Sequence, residues 1–352
     1  MIRAVAVLAL LLGPLSPRAM GAELHRGINL TNWFRFPASR DPAALHAYIG
    51  DRALADLRTA GFDFVRLAVD PAMVDPLLAD QPALIAAIRR IQRQGLIVVV
   101  CPHPTGWHLE ADPADRAALL RLWAGLSAAL RSLDPARTVP EVLNEPVFPH
   151  DPGGWAALQH SVLAEIRANL PSVTVILTGQ DWGSIGGLTA LTPESDPNVL
   201  YSFHFYDPAE LTSLAAYRRD VDRGALARLP FPATGACAVP ATDAATRDLA
   251  RYYCGFGWDA ARIDAMIGRA AAWARAHNVR LIAGEFGATA ELNASARMSW
   301  IGAVRSALEV RRVPWALWGY EDVMGFDVPR PPGRRPVLGR GLLSALGLHT
   351  PI

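Results

Sequence analysis

Lysine is absent from this sequence: all 34 of the cationic side chains counted as lysine plus arginine are arginine. The bias reflects genome composition and carries no chemistry. Against 33 acidic side chains the net charge is only +1, so nothing marks a nucleic-acid partner or an anionic membrane surface. Cysteine is scarce as well, with three in 352 residues, and no Cys/His spacing resembles a zinc site. Cys237 and Cys254 lie close together in an irregular stretch containing Gly and Pro. A disulfide there would close a short loop and contribute roughly 3 kcal/mol. Cys101 ends a valine-rich run and reads as a buried free thiol.

Long apolar runs are missing except at the start of the chain. Met1–Ala22 opens with Arg3, continues through the run from Ala4 to Leu12, and ends in Ala19-Met20-Gly21-Ala22. This is the pattern of a secretory signal peptide with small residues at its cleavage site, and the run is too short to span a bilayer. The competing reading is an uncleaved N-terminal anchor. The expectation is therefore a leader over residues 1–22, followed by one exported domain over 23–352 that is secreted or periplasmic and not embedded in a membrane. No internal repeat and no linker long enough to separate domains is present, and no appended binding domain is recognisable.

What is present is an alternation. Strand-like runs cover Arg26–Leu30, Phe62–Val69, Leu96–Cys101, Val139–Leu143, Val173–Thr178, Val199–Phe205, Arg280–Glu285 and Pro314–Trp318. Several are apolar throughout, as parallel strands buried on both faces are. Between them, Asp51–Ala60, Pro82–Gln94, Pro113–Leu133, Gly154–Leu170, Trp258–His277 and Ala294–Val310 show apolar spacing near 3.6, and Gly341–Leu346 makes a last short helix. Gly61 and Gly95 fall where helices turn back into strands. Eight such alternations predict an α/β fold, a (β/α)₈ TIM barrel, over an open doubly wound sheet. The lack of Gly-x-Gly-x-x-Gly after the first strand removes the dinucleotide-binding alternative. Asp207–Gly257 is a long excursion after the sixth strand, expected to cover one side of the mouth, and Pro329–Arg340 is a basic, Pro-rich loop with no obvious chemistry.

In a TIM barrel the C-terminal strand ends meet around one mouth. Those ends read Asn29, Arg66, His103, Asn144-Glu145, Gln180 with Trp182, His204 with Tyr206, Glu285, and Trp318. Glu145 follows the fourth strand and Glu285 the seventh, on opposite sides of the ring. Hydrolysis of a glycosidic bond needs two such carboxyls: about 5–5.5 Å apart for retention of configuration, and on the order of 9 Å for inversion.

Asn144-Glu145-Pro146 with Gly284-Glu285-Phe286-Gly287 resembles the catalytic pair of clan A retaining glycosidases, and most closely that of glycoside hydrolase family 5, the endoglucanase-type cellulases. Arg26-Gly27-Ile28-Asn29, Arg66, His103, His204, Tyr206 and Trp318 match further positions, in order, from Arg26 to Tyr320. The resemblance implies that Glu145 is the acid/base, with a pKa raised toward neutrality. It implies that Glu285 is the nucleophile, kept ionised by Arg66 and Tyr206. Asn144 would donate to a sugar 2-OH, His204 would bond near Glu145, His103 would line the sugar site, and Trp318 would offer a flat face to a pyranose.

Taken singly, Arg66 also fits a structural ion pair, and the two histidines fit satisfied core positions. Trp33, Trp107 and Trp182 fit sugar stacking or packing equally. Asn29 and Gln180 stay open between support and contact. His108 beside Trp107 invites a metal with His103, but the first strand lacks the His-x-His of metal-dependent barrel hydrolases, so no metal and no cofactor is expected. The expectation is a monomeric retaining endo-β-1,4-glucanase acting on poly- or oligosaccharide. The alternatives are a β-mannanase, a β-1,3-glucanase, a transglycosylase acting on exopolysaccharide, and a non-catalytic carbohydrate-binding barrel.

Overall fold

A computed structural model of the chain describes residues 21–74, 81–233, 237, 239–329 and 337–351. Residues 1–20 of the expected leader and most of the Pro-rich loop after Pro329 lie outside the described residues. Eight parallel strands run β1 (Arg26–Phe34), β2 (Phe64–Val69), β3 (Ile97–Pro102), β4 (Thr138–Pro140), β5 (Val175–Thr178), β6 (Val199–Phe205), β7 (Arg280–Phe286) and β8 (Trp315–Leu317). Their order is β4-β3-β2-β1-β8-β7-β6-β5. A single bridge between Glu141 and Ile176 brings the two ends together, so the sheet is a nearly closed barrel.

The helices that pack around it begin and end where local chemistry says they should. Asp112 accepts from the Ala114 amide at the start of Pro113–Leu130, and Asp259 does the same for Ala260–His277. These are side-chain caps for amides that lack an intrahelical partner. Gly61 ends the helix Asp51–Ala60 at φ 110, a left-handed turn that glycine enters without strain.

Inside the barrel the side chains form layers, because inward positions recur every second residue. The floor is apolar: Phe64, Val99, Val139, Ile176, Leu200, Ile282 and Ala316, with Ala22 and Leu24 packed beneath. Ala22, which falls on the leader side of the expected boundary, is thus part of this floor. Two residues further along each strand come Asn29, Arg66, Cys101, Glu141, Thr178, Ser202, Gly284 and Trp318. The inside of the barrel therefore changes from oil to hydrogen-bonding groups within about 7 Å of strand rise. That change marks the mouth.

Differences from the sequence reading have local causes. β4 is three residues instead of five, since Pro140 has no amide to donate and pairing with β5 is confined to one bridge. β1 runs on to Phe34 through an irregularity after Leu30. Between β5 and β6 the helical segments are only Gln180–Gly183 and Ile185–Thr189, where the glycines give no 3.6 pattern. The excursion Asp207–Gly257 holds its own helix, Ala244–Phe256, pinned by the Cys237–Cys254 disulfide. Cys101 is free and buried.

Candidate active site

Arg66 is the centre of the polar layer and is wholly buried. Its Nε and Nη2 donate to both oxygens of Glu141 at 2.6 and 2.9 Å. Nη1 donates to Glu285 Oε1 at 2.6 Å and to Asn29 Oδ1 at 2.9 Å. Nη2 also reaches Asn144 Oδ1 at 3.0 Å. Burial opposes its charge, but Cys101, Glu141 and Glu285 hold its pKa well above the ordinary value. A buried cation with two carboxylates at hydrogen-bond distance is fixed in direction as well as charge.

Glu285 ends β7 almost fully buried. Its Oε1 accepts from Arg66, and its Oε2 accepts from the Tyr206 hydroxyl at 2.8 Å. The glycines around it are required by close approach. A Cβ at Gly284 would stand 2.6 Å from Ser202 Oγ, and one at Gly287 would stand 2.6 Å from the Trp318 carbonyl.

Glu145 is presented differently. Its backbone sits at φ 44, a left-handed conformation that is uncommon outside glycine and costs on the order of 1–3 kcal/mol. Pro146 behind it narrows the choices further. The side chain is about a third exposed, so this strain holds an acid at the edge of the mouth.

His204 lies between the two glutamates. Its Nδ1 is 2.9 Å from Glu145 Oε1 and 3.5 Å from Glu285 Oε2. One donor atom from each of the three residues lies within 4.8 Å of the others. Burial alone would lower the His204 pKa, but the Glu285 charge and the Glu145 hydrogen bond outweigh it and raise it. Burial would raise Glu145, yet the bond and charge of His204, with Arg66 and Arg35, bring it below the ordinary value. Burial prevails at Glu285, raising it against His204 and Arg66. The three groups titrate as one unit. This departs from the expectation of a raised Glu145: its pKa is lowered, while that of His204, 2.9 Å away, is raised.

The other expected residues divide into contacts and supports. Asn144 uses its Oδ1 on Arg66, and its Nδ2 makes no hydrogen bond among the described residues. His103 is buried, stacks against Trp318 at 5.7 Å, and has both ring nitrogens unpartnered. Burial, then Arg66, Arg35 and His204, lower its pKa well below the ordinary value, so the ring is neutral. Trp318 is half-buried, with the Arg35 guanidinium over its ring at 5.8 Å. Trp182 is 59% exposed at the rim, on a turn where Asp181, Trp182 and Gly183 all have positive φ.

Asn29 is a support: its amide donates to the carbonyls of Gly284 and Leu317. Gln180 accepts from the Phe148 amide at 3.4 Å. Trp33 is packing, fully buried with its Nε1 on the Leu45 carbonyl and its ring on Tyr48. Trp107 packs against the core, and His108 is exposed on the loop after β3. Sequence reasoning missed two residues. Glu141 was legible as a carboxylate inside an apolar strand, two residues past an inward Val139. Arg35 had no such signal.

The cluster of Glu145, His204 and Glu285 is also the one group among the described residues spaced to ring a metal ion. Its donors are engaged otherwise. Both Glu285 oxygens accept from Arg66 and Tyr206, and a second cation would stand against the guanidinium.

Two glutamates across the mouth of a (β/α)₈ barrel, one clamped by donors and one beside an imidazole, form the paired-carboxylate arrangement that glycosidases use. Comparison with known proteins narrows this. The chain matches the cellulase family (glycosyl hydrolase family 5) over residues 25–322 and belongs to it. It is 23% identical to endoglucanase 3 of Fibrobacter succinogenes over 343 residues, 87% of this chain and 51% of that protein. The chain thus spans about half the length of that relative. Among solved structures it is similar to an endoglucanase of Thermotoga maritima, with TM-score 0.74 and 22% identity over 92% of this chain and 96% of the other. It is also similar to the cellulose synthase subunit Z of Clostridioides difficile, with TM-score 0.73 and 22% identity over 92% and 99%.

Proposed function

We propose that this protein is an exported, retaining β-glycoside hydrolase that cleaves β-glucan within the chain, in the manner of an endo-β-1,4-glucanase. The observation that carries the mechanism is the approach of the two carboxylates, with one oxygen of each within 4.8 Å. That separation suits direct attack by one of them on the anomeric carbon and leaves no room for the water an inverting route interposes.

The surroundings support a role for each residue. Glu285 has the donors that hold a carboxylate in line: Arg66 on one oxygen, Tyr206 on the other. It attacks the anomeric carbon, and the glycosidic bond breaks toward its oxygen. Glu145 protonates that oxygen, and a covalent glycosyl-enzyme remains on Glu285. Glu145, now a carboxylate, removes a proton from water, which attacks the same carbon and releases Glu285.

The proton for the first step comes from the imidazole. When sugar covers the site, the ion pair between His204 and Glu145 loses solvent, and the neutral pair gains on it. The proton then crosses the 2.9 Å bond to Glu145. Asn144 Nδ2 and the unpartnered His103 nitrogens are available to sugar hydroxyls, which supply the partners a buried polar ring otherwise lacks. Export rests on the apolar leader read from the sequence.

A second sugar is supported by one finding. The Thermotoga maritima enzyme has been solved with both cellobiose and mannotriose, so β-mannan stands beside β-glucan as substrate. The test is proton NMR of the first products from soluble cellulose and mannan. Release of the β-anomer before mutarotation, abolished in Glu285→Ala, is the expected result. An α-anomer, or activity kept by Glu285→Ala, overturns the mechanism.

A further inference from the structure

We propose that Arg35 recognises a carboxylate on the polysaccharide, so that the glucan this site is built for is acidic, carrying uronate or an equivalent carboxyl-bearing sugar. The inference rests on the hydrolase reading above and names its substrate class.

Arg35 follows β1 at the mouth. Its guanidinium lies over the Phe36 ring at 4.7 Å and over Trp318 at 5.8 Å. Its Nε is buried without a hydrogen-bond partner, and among the described residues the side chain forms no ion pair. A surface arginine with no task keeps its head in water; this one is held against two rings with one nitrogen already desolvated.

The buried acids of the site are engaged elsewhere. Glu145 faces His204, Glu285 faces Arg66 and Tyr206, and Glu141 faces Arg66 on both oxygens. Glu321 accepts from Thr31 and Tyr48. Among the described residues the site is thus left with a planar, pre-positioned fork and no anion paired with it, and that fork matches a carboxylate.

The charge also bears on the chemistry. After burial and His204, Arg35 is among the groups acting on Glu145, and it pushes that acid down. A general acid needs the opposite. An anion delivered by the substrate cancels the Arg35 charge at the moment when Glu145 must hold a proton, so the right polymer improves its own acid. A neutral glucan leaves the charge uncompensated.

The test compares cellohexaose with cellohexaose oxidised at C6 to glucuronate. The wild type is expected to prefer the oxidised chain in kcat/KM, with the preference shrinking as salt is raised. In Arg35→Gln the oxidised-to-neutral ratio should fall by about tenfold or more, as for loss of a charged hydrogen bond, and Arg35→Lys should restore part of it. No wild-type preference, or an equal loss on both substrates in Arg35→Gln, overturns the inference. Should the wild type cleave neither, the hydrolase reading fails separately. Calorimetric binding of the same two oligosaccharides to Glu285→Gln, with and without Arg35→Gln, then decides the carboxylate claim on its own.

Discussion

Glu141 has both oxygens held by Arg66 and takes no part in the proposed proton transfers, yet its loss should be felt in both stability and rate. It is 1% exposed, and it binds the wholly buried Arg66 through two hydrogen bonds of 2.6 and 2.9 Å. Charges about 4 Å apart at an effective dielectric near 20 attract by roughly 4 kcal/mol. Glu141→Gln removes that attraction and returns about 1 kcal/mol through a neutral hydrogen bond. The expected net loss is about 3 kcal/mol, at the low end of the ~3–5 kcal/mol for breaking a buried pair, since Arg66 keeps Glu285. Urea unfolding followed by tryptophan fluorescence should show this as a lower midpoint with unchanged slope. The guanidinium, released on one side, turns toward Glu285, and kcat should fall by about tenfold or more. The exposed pair Arg251–Asp248, with side chains 75% and 69% exposed, serves as control, and Asp248→Asn should change stability by less than about 0.5 kcal/mol. If Glu141→Gln lies within about 1 kcal/mol of wild type at full kcat, the buried clamp is not what orders this site.

His204→Gln removes the proton store beside Glu145. Folding raises the His204 pKa above 6.5, so its stabilisation is complete below that value and disappears as pH rises through the folded one. The stability gap between wild type and His204→Gln should be widest in acid and close at alkaline pH, and the alkaline limb of kcat/KM should move to lower pH; an unmoved limb would refute the proton relay. Trp182→Ala, at a side chain 59% exposed, should leave thermal stability nearly unchanged while raising KM for long oligosaccharides more than for short ones, and equal effects on both would remove it from the sugar path. Cys237→Ser with Cys254→Ser opens a loop with sequence separation 17 and should cost about 3 kcal/mol in unfolding experiments, whereas identical wild-type stability with and without reductant would show that the bridge adds nothing.

The barrel was legible because its signals are local. Apolar strands, 3.6-periodic helices and glycines such as Gly61 each follow from a few adjacent residues. The functional strand ends were legible for a related reason: polar groups that close apolar runs have few structural uses, and they fell in chain order. What stayed hidden depends on distance in space. Asn29 is open in sequence between contact and support, and it acts as a brace because its amide reaches the Gly284 and Leu317 carbonyls on strands more than 250 residues away. Trp33 and Trp182 are indistinguishable as letters, yet one is walled in by Leu45 and Tyr48 and the other stands on a left-handed turn in solvent. The lowered pKa of Glu145 was hidden most completely, since it is set by the balance of burial and charge among side chains from different strands.

The ring of strands has two halves. One, β1 to β4, carries Glu145 past its last strand; the other, β5 to β8, carries Glu285. Three registered pairs join them between β1 and β8, and one bridge joins them between β4 and β5. Across the interior the halves are also tied by Arg66 to Glu285, by Asn29 to the Gly284 carbonyl, and by His204 to Glu145. Both glutamates are therefore also clasps, and the His204–Glu145 bond ties the stretch beyond β4 to β6 across the side where the wall is held by one bridge. Heat that springs the seam disarms the chemistry in the same event, and a sugar that tightens those bonds keeps the ring shut.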